Sequence, residues 1–199
     1  MHVVRVGKYV GVIAKAMGFP MSRVEMIELA SQLHDVGKIG LPDSILLHDG
    51  PLDREQRHLM QRHCAVGKHI LEPMSAADLE LLKSHARMGA EIAFVPTSPL
   101  LMLASRIAQT HHEWWDGSGY PLGLSGKDIP IEGRMTAIAD VFDALSSRRP
   151  YKEPIAREKC FEMMRENSGT QFDPELLEMF FEQSSEIIEI QLQFMETAN

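Results

Sequence analysis

Apolar residues recur at three- and four-residue intervals almost from end to end of this chain, and that periodicity is the strongest constraint on what it can fold into. A face repeating at this interval is buried by a helix packed on other helices; a strand needs alternation, which is nowhere sustained here. The expected fold class is therefore all-α. Between Val3 and Met17, the residues Val6, Val10, Ile13, Ala14 and Met17 share a face, and Gly18 with Pro20 beyond it ends the helix. Ser22 and Glu25 have capping-box spacing, which opens a helix through Val24, Ile27 and Leu33 to a stop at Gly37, with His34 and Asp35 in its last turn. Loop chemistry fills Gly40 to Leu52, and Asp53 caps a helix to about Leu71. Pro73 and Ser75 punctuate, a further helix reaches about Phe94, and Pro96 and Pro99 precede one from Leu100 that carries His111 and His112 at its C-terminal end. Trp115 to Pro130 reads as an ordered, glycine-rich loop. Helices follow over Ile131 to Ser146 and Pro154 to Asn167, and Asp173-Pro174 opens a last helix to about Met195.

With 199 residues, 44% of them hydrophobic, the chain can bury one substantial core. No run approaches the length of a membrane span and the N-terminus lacks a secretory signal, so a soluble cytoplasmic protein is expected, with no membrane contact. The net charge of −8 argues against a nucleic-acid polymer as partner, because phosphate-backbone affinity rests on clustered Lys and Arg. Cys64 and Cys160 are too few for a disulfide framework or a cysteine-rich zinc site, so any metal falls to His and carboxylate.

The 9 histidines carry the chemical signal. A lone helical histidine is ordinarily a surface or satisfied core residue, and His48, His58 and His69 are read so. Adjacent pairs are different. Consecutive helical residues point about 100° apart, so His34-Asp35 and His111-His112 place at least one polar group inward, and Asp140 with Asp143 adds two carboxylates on one helix face. Imidazole nitrogens and bridging carboxylates satisfy that demand by holding divalent cations. There is also an internal repeat: the shift that lays Leu59 on Leu81 also lays His63 on His85, Gly67 on Gly89 and Ile70 on Ile92, as if one helix were duplicated.

Taken in order, His34-Asp35-Val-Gly-Lys38, His111-His112-Glu113, Asp116-Gly-Ser-Gly119-Tyr120-Pro121, Asp140-Val-Phe-Asp143 and Arg149-Pro-Tyr151-Lys152 resemble the HD-GYP subgroup of the HD-domain phosphohydrolases. The resemblance runs from about His2 to Phe180 and implies an HD-domain helical bundle over 1–180, with 72–94 as an inserted duplicate helix and 181–199 as an amphipathic helical tail. It implies a metal-dependent enzyme that hydrolyses the bacterial second messenger cyclic di-GMP to linear pGpG, and in some members onward to GMP, through a metal-bridging hydroxide. Another cyclic dinucleotide such as cyclic GMP-AMP, or a non-catalytic dinucleotide-sensing module, remains the alternative.

By position, the resemblance implies His34, Asp35, His111, His112 and Asp140 as metal ligands, with Asp35 bridging and catalytic. One more comes from the repeat: counting forward from His34 selects His63, counting back from His111 selects His85, and His85 is slightly favoured. His2 matches a ligand of the trinuclear members, whose glutamate would lie before Met1; either the chain is cut from a longer protein or its third site lacks a ligand. Lys38 is implied at the scissile phosphate, and Tyr120, Arg149, Lys152 and Asp143 at the substrate, Asp143 alternatively as support for a ligand. Trp114 and Trp115 stack on a base or pack under the loop, and Arg134 is structural or near substrate. Gly133 and Ser146 depart from the residues more common in the family. The cofactors implied are two or three divalent ions, iron or manganese first, with nickel, zinc or magnesium as alternatives. Implied partners are an N-terminal receiver or sensor domain outside this chain, a second copy in a homodimer, and a diguanylate cyclase at the GYP loop.

Overall fold

In the computed structural model, which describes residues 1–72, 98–147 and 154–196, helix α1 (His2–Ala16) is the spine of one group of packed helices. It buries Val6, Tyr9, Val10 and Ile13, residues one helical turn apart or adjacent to that face. Around it lie α2 (Met21–Ser31), α6 (Ile131–Ser146), α8 (Pro174–Glu182) and α9 (Ser184–Glu196). The core between them is filled by Ile27, Met135, Ile138, Phe142, Leu177, Phe180 and Ile187. A second pair, α4 (Arg54–Leu71) and α5 (Pro99–Thr110), packs together beside α2, and the 3-10 turn Val36–Gly40 lies on α4. The short α3 (Asp43–Leu46) precedes α4, and α7 (Arg157–Glu166) follows α6. Among the described residues there is no strand, only an isolated bridge between Ser168 and Phe172, and no helix is long and apolar enough to cross a membrane.

The helical periodicity holds, and the local differences have local causes. Asp53 caps α4 in a full capping box with Gln56, and Asp173 accepts from the Glu175 N–H at 2.9 Å ahead of Pro174. The Ser22 and Glu25 box does not form. Pro20 stands at the N-cap in extended backbone and its carbonyl takes the N–H groups of Arg23 and Val24, at 2.8 and 3.0 Å, so the helix is already under way at Met21. Helix α2 stops at Ser31, and tighter bonds follow, Leu33 N to Ala30 O at 3.1 Å and His34 N to Ser31 O at 3.2 Å. His34 and Asp35 thus sit in a turn between α2 and the 3-10 segment, not in the helix's last turn. Helix α7 begins at Arg157, later than Pro154, because the Ile155 N–H is committed to the Leu145 carbonyl at 3.0 Å. The last helix is two: it breaks at Gln183, and on either side of the break Phe180 and Ile187 are both fully buried. Gln191 of α9 donates to Ser146 Oγ at 2.7 Å, which gives that residue a role in fastening α9 to α6. The expected helix to Phe94 lies outside the described residues.

Gly37 is a contact rather than a helix stop. A Cβ built on it would stand 2.0 Å from the His63 carbonyl oxygen and 2.3 Å from the Gly67 nitrogen, so the backbone of the 3-10 turn rests directly on the backbone of α4. Gly133 plays the same part between α6 and α5, where an added Cβ would meet Thr110 Oγ1 at 2.3 Å. Gly37→Ala forces backbone apart from backbone, with no flexible side chain to yield. It is expected to destabilise the protein by about 1–3 kcal/mol, seen as a lower urea midpoint at unchanged slope; an unmoved midpoint would contradict this packing.

Candidate functional site

Helix faces, helix ends and a turn deliver five imidazoles and three carboxylates to the junction of α1, α2, α4, α5 and α6. The same local device orients three of the rings. His34 Nδ1 lies 2.8 Å from the Ser31 carbonyl, His63 Nδ1 2.7 Å from the Met60 carbonyl, and His111 Nδ1 3.1 Å from the carbonyls of Ile107 and Ala108. A carbonyl only accepts, so each Nδ1 carries a proton and each Nε2 is turned inward. All three Nε2 atoms converge on Asp35: His34 at 3.5 Å from Oδ2, His63 at 3.4 Å and His111 at 3.9 Å from Oδ1. His112 joins them, its ring centroid 4.2 Å from that of His111 and 5.1 Å from that of His63.

Burial holds the rings of His63, His111 and His112 neutral. It lowers His63 against the pull of the Met60 carbonyl and Asp35, lowers His111 well below the usual imidazole range with the help of His112 and His34, and brings His112 down to about 4. Asp35 stays ionised: burial alone would raise it, but His34, Lys38 and His111 together bring it down to about 2. The Lys38 ammonium donates to Asp35 Oδ2. The consequence is an unmet demand. His63 Nε2 and His111 Nε2 face each other at 3.5 Å with their protons committed elsewhere, and the buried atoms His34 Nε2 and Asp35 Oδ1 have no hydrogen-bond partner. A divalent cation is the group that this donor set fits, since only a cation satisfies several lone pairs and a carboxylate at once.

A second set lies on α1 and α6. His2 Nε2 is 3.3 Å from Asp140 Oδ1, which in turn is 3.8 Å from His34 Nε2, and His2 Nδ1 is 2.7 Å from Asp143 Oδ2. The bonds to Asp140 and then Asp143 raise His2 to about 9, whereas burial of Asp140 is outweighed by the hydrogen bond from His2 and by His34, so its carboxyl is held far down. Asp143 is only 2% exposed, and Arg5 takes both its oxygens, Nε to Oδ1 at 2.6 Å and Nη2 to Oδ2 at 2.9 Å. With both oxygens engaged by Arg5 and His2 inside the protein, Asp143 is placed as support for a ligand, the alternative role given to it above.

The loop after His112 is fastened by a residue the motif reading passed over. Glu113 is buried, and its two oxygens accept from the Leu122 N–H at 2.6 Å and the Leu124 N–H at 2.9 Å. The Tyr120 N–H donates to the His112 carbonyl at 3.1 Å, and the Tyr120 ring stacks on the His112 ring at 4.8 Å. Gly119 is needed for closeness, since a Cβ there would stand 2.2 Å from the Trp114 nitrogen. Arg134 is structural, bonded to the Ile129 carbonyl at 2.9 Å and Asp173 at 2.5 Å, with its guanidinium 5.7 Å from the Trp115 ring. The sequence candidates His2, His34, Asp35, Lys38, His63, His111, His112, Tyr120 and Asp140 therefore come together, and His85, Arg149 and Lys152 lie outside the described residues. Arg5 and Glu113 were the omissions. Arg5 stands three residues after His2 on the same helical face, and Glu113 directly follows the histidine pair, so the signal was one of spacing to residues already singled out.

The HD domain matches residues 2–90 and 74–176 of the chain, in two overlapping spans. A 3'3'-cGAMP-specific phosphodiesterase 2 of Vibrio cholerae is 43% identical over 189 residues, covering 95% of this chain and 32% of the relative. A cyclic di-GMP phosphodiesterase of Thermotoga maritima is 41% identical over 189 residues, covering 95% of this chain and 45% of the relative. The chain thus spans less than half the length of these curated relatives. Among solved structures, a cyclic GMP-AMP specific phosphodiesterase of V. cholerae shares the fold with a TM-score of 0.59 at 18% identity, over 96% of this chain and 45% of the other. An HDGYP protein of Bdellovibrio bacteriovorus does so with a TM-score of 0.61 at 18% identity, over 90% of this chain and 50% of the other.

Glu113→Ala removes the carboxylate that accepts from the Leu122 and Leu124 N–H groups, charge-assisted bonds that hold the loop. The expected result is faster amide exchange at Leu122 and Leu124 with the core of α1 still protected; unchanged exchange at both would remove Glu113 from its role in the loop.

Proposed function

This chain belongs to the HD-domain family, in its HD-GYP subgroup, and from that premise we propose that it is a metal-dependent phosphodiesterase that opens cyclic di-GMP to linear pGpG, with GMP as a further product. The observation that carries the reading is the convergence of the Nε2 atoms of His34, His63 and His111 on the Asp35 carboxylate. A second substrate, 3'3'-cyclic GMP-AMP, is favoured by the 43% identical relative named for it.

The residues that would hold the ions are His34, Asp35, His63, His111, His112 and Asp140, with His2 as a further ligand; the His63 Nε2 that faces the cluster supports His63 as the ligand drawn from the repeat. Two or three ions, iron or manganese by preference, would supply acidified water and polarise the phosphoryl oxygens. Lys38, held at the rim by Asp35, carries a partly exposed cation to a substrate phosphate, where it stabilises charge that grows toward the transition state. Tyr120, stacked on His112, shapes the side of the site from the loop. Arg5 and Asp143 keep His2 turned toward Asp140. Arg149 and Lys152 complete the reading as contacts to the dinucleotide. A receiver or sensor domain joined to this one, a second copy in a homodimer, contact with a diguanylate cyclase through the loop at Tyr120, and a cytoplasmic location belong to the same proposal.

Chromatography of nucleotides after incubation of the iron- or manganese-loaded protein with cyclic di-GMP tests the activity. The intact protein is expected to release pGpG or GMP, and Asp35→Ala to be slower by more than about a hundredfold; unchanged substrate with metal fully bound would refute the activity. Metal content separates the two histidines: His63→Ala is expected to lose bound ion and His85→Ala to keep it, and the reverse pattern would move the ligand to His85.

A further inference from the structure

The geometry points to Cys64 as a sulfur donor to one of the ions of this centre, so that one of its positions is held by imidazole nitrogens together with a thiolate rather than by His and carboxylate alone. This rests on the reading of the cluster as a metal site and adds a ligand to it.

Cys64 is fully buried on α4, next to His63 in the chain, and its Sγ lies 3.5 Å from His63 Nε2. That nitrogen is the one turned inward, because Nδ1 of the same ring is committed to the Met60 carbonyl. The sulfur therefore shares the space onto which His63 and His111 direct their unprotonated nitrogens. One ligand atom each from His63, Cys64, His111 and His112 lie within 4.8 Å of one another, and a separate group is formed by His2, His34 and Asp35. The two groups meet at Asp35, whose Oδ1 lies 3.4 Å from His63 Nε2. Sulfur reaches the first, and the second offers only nitrogen and oxygen. Imidazoles and a thiolate beside that carboxylate are a donor set that zinc, cobalt or iron accepts, and the soft donor tells against manganese or magnesium at this one position.

Without a cation the same sulfur has another use. Cys64 Sγ stands within hydrogen-bond distance of His63 Nε2, and because the proton of that ring is on Nδ1, the thiol is the donor of the pair. Once an ion occupies that nitrogen's lone pair, the thiol loses its acceptor. It then releases its proton to solvent and donates a sulfur lone pair to the ion, with no change of oxidation state at either atom. Cys64 is thus either a ligand or a buried thiol with no remaining partner at His63, and the two differ in spectrum.

The experiment is titration of the metal-free protein with cobalt(II), read by absorption, with bound cobalt counted after desalting. The intact protein is expected to show ligand-field bands in the visible and an intense sulfur-to-cobalt band in the near ultraviolet. Cys64→Ser and Cys64→Ala should keep the visible bands, lose the sulfur band and bind zinc at least about tenfold more weakly, the lower end of what losing even an outer partner of a ligand costs. Ligand-field bands without the sulfur band in the intact protein would overturn the assignment of Cys64 and leave the metal centre standing. An intact protein that retains no cobalt would overturn both. The intact protein's own spectrum decides the point even where a variant fails to fold.

Discussion

Two unprotonated imidazole nitrogens, on His63 and His111, face each other at 3.5 Å beside an ionised and partly unsatisfied Asp35, and the rest of the molecule is arranged around holding them there. Each ring is fixed by a carbonyl three or four residues earlier in its own segment, a local interaction that needs no distant partner. What is not local is their meeting. It sets the middle of α4 against the end of α5 in a buried space, where unpaired polar groups cost free energy and a cation recovers it. A protein of this kind couples metal binding to stability, because the ion binds the folded arrangement and the unfolded chain cannot reproduce it.

Backbone contacts supply the precision. The 3-10 turn carrying Asp35 and Lys38 meets α4 through Gly37, and α6, which carries Asp140, meets α5 beside His111 through Gly133. A Cβ at Gly37 would press on the backbone of α4 and one at Gly133 on the Thr110 side chain, so both glycines let the elements that carry the site approach closely. Glu113 fixes the loop that sets Tyr120 on His112, and Arg5 fixes Asp143, which orients His2. Glu113, Arg5 and Asp143 are thus polar groups whose paired atoms orient the residues of the centre.

Much of this was legible in the sequence. The helical period located α1, α4 and α6 within a residue or two, and the dipeptides His34-Asp35 and His111-His112 marked polar groups that had to point inward. The failures came where another atom competed for a local signal. Pro20 took the capping role expected of Ser22, tighter turns replaced the last turn of α2 at His34, and the last helix is interrupted at Gln183. Arg5 was hidden for a different reason: an arginine on an amphipathic helix is ordinarily solvated, and only the position of Asp143 shows that this one is not.

By itself the sequence determined the helical class, the breaks at proline and glycine, and the inventory of imidazoles and carboxylates, because propensity, period and side-chain chemistry are properties of neighbours along the chain. Which nitrogens meet was decided only by tertiary structure. That His63 Nε2 faces Asp35, that Asp143 turns to Arg5 and His2 instead of outward, and that Cys64 Sγ shares the space of the histidines all depend on how α1, α4, α5 and α6 pack. Residues 138 or more positions apart in the chain, such as Arg5 and Asp143, are brought within a hydrogen bond by that packing, and no local rule specifies such a distance.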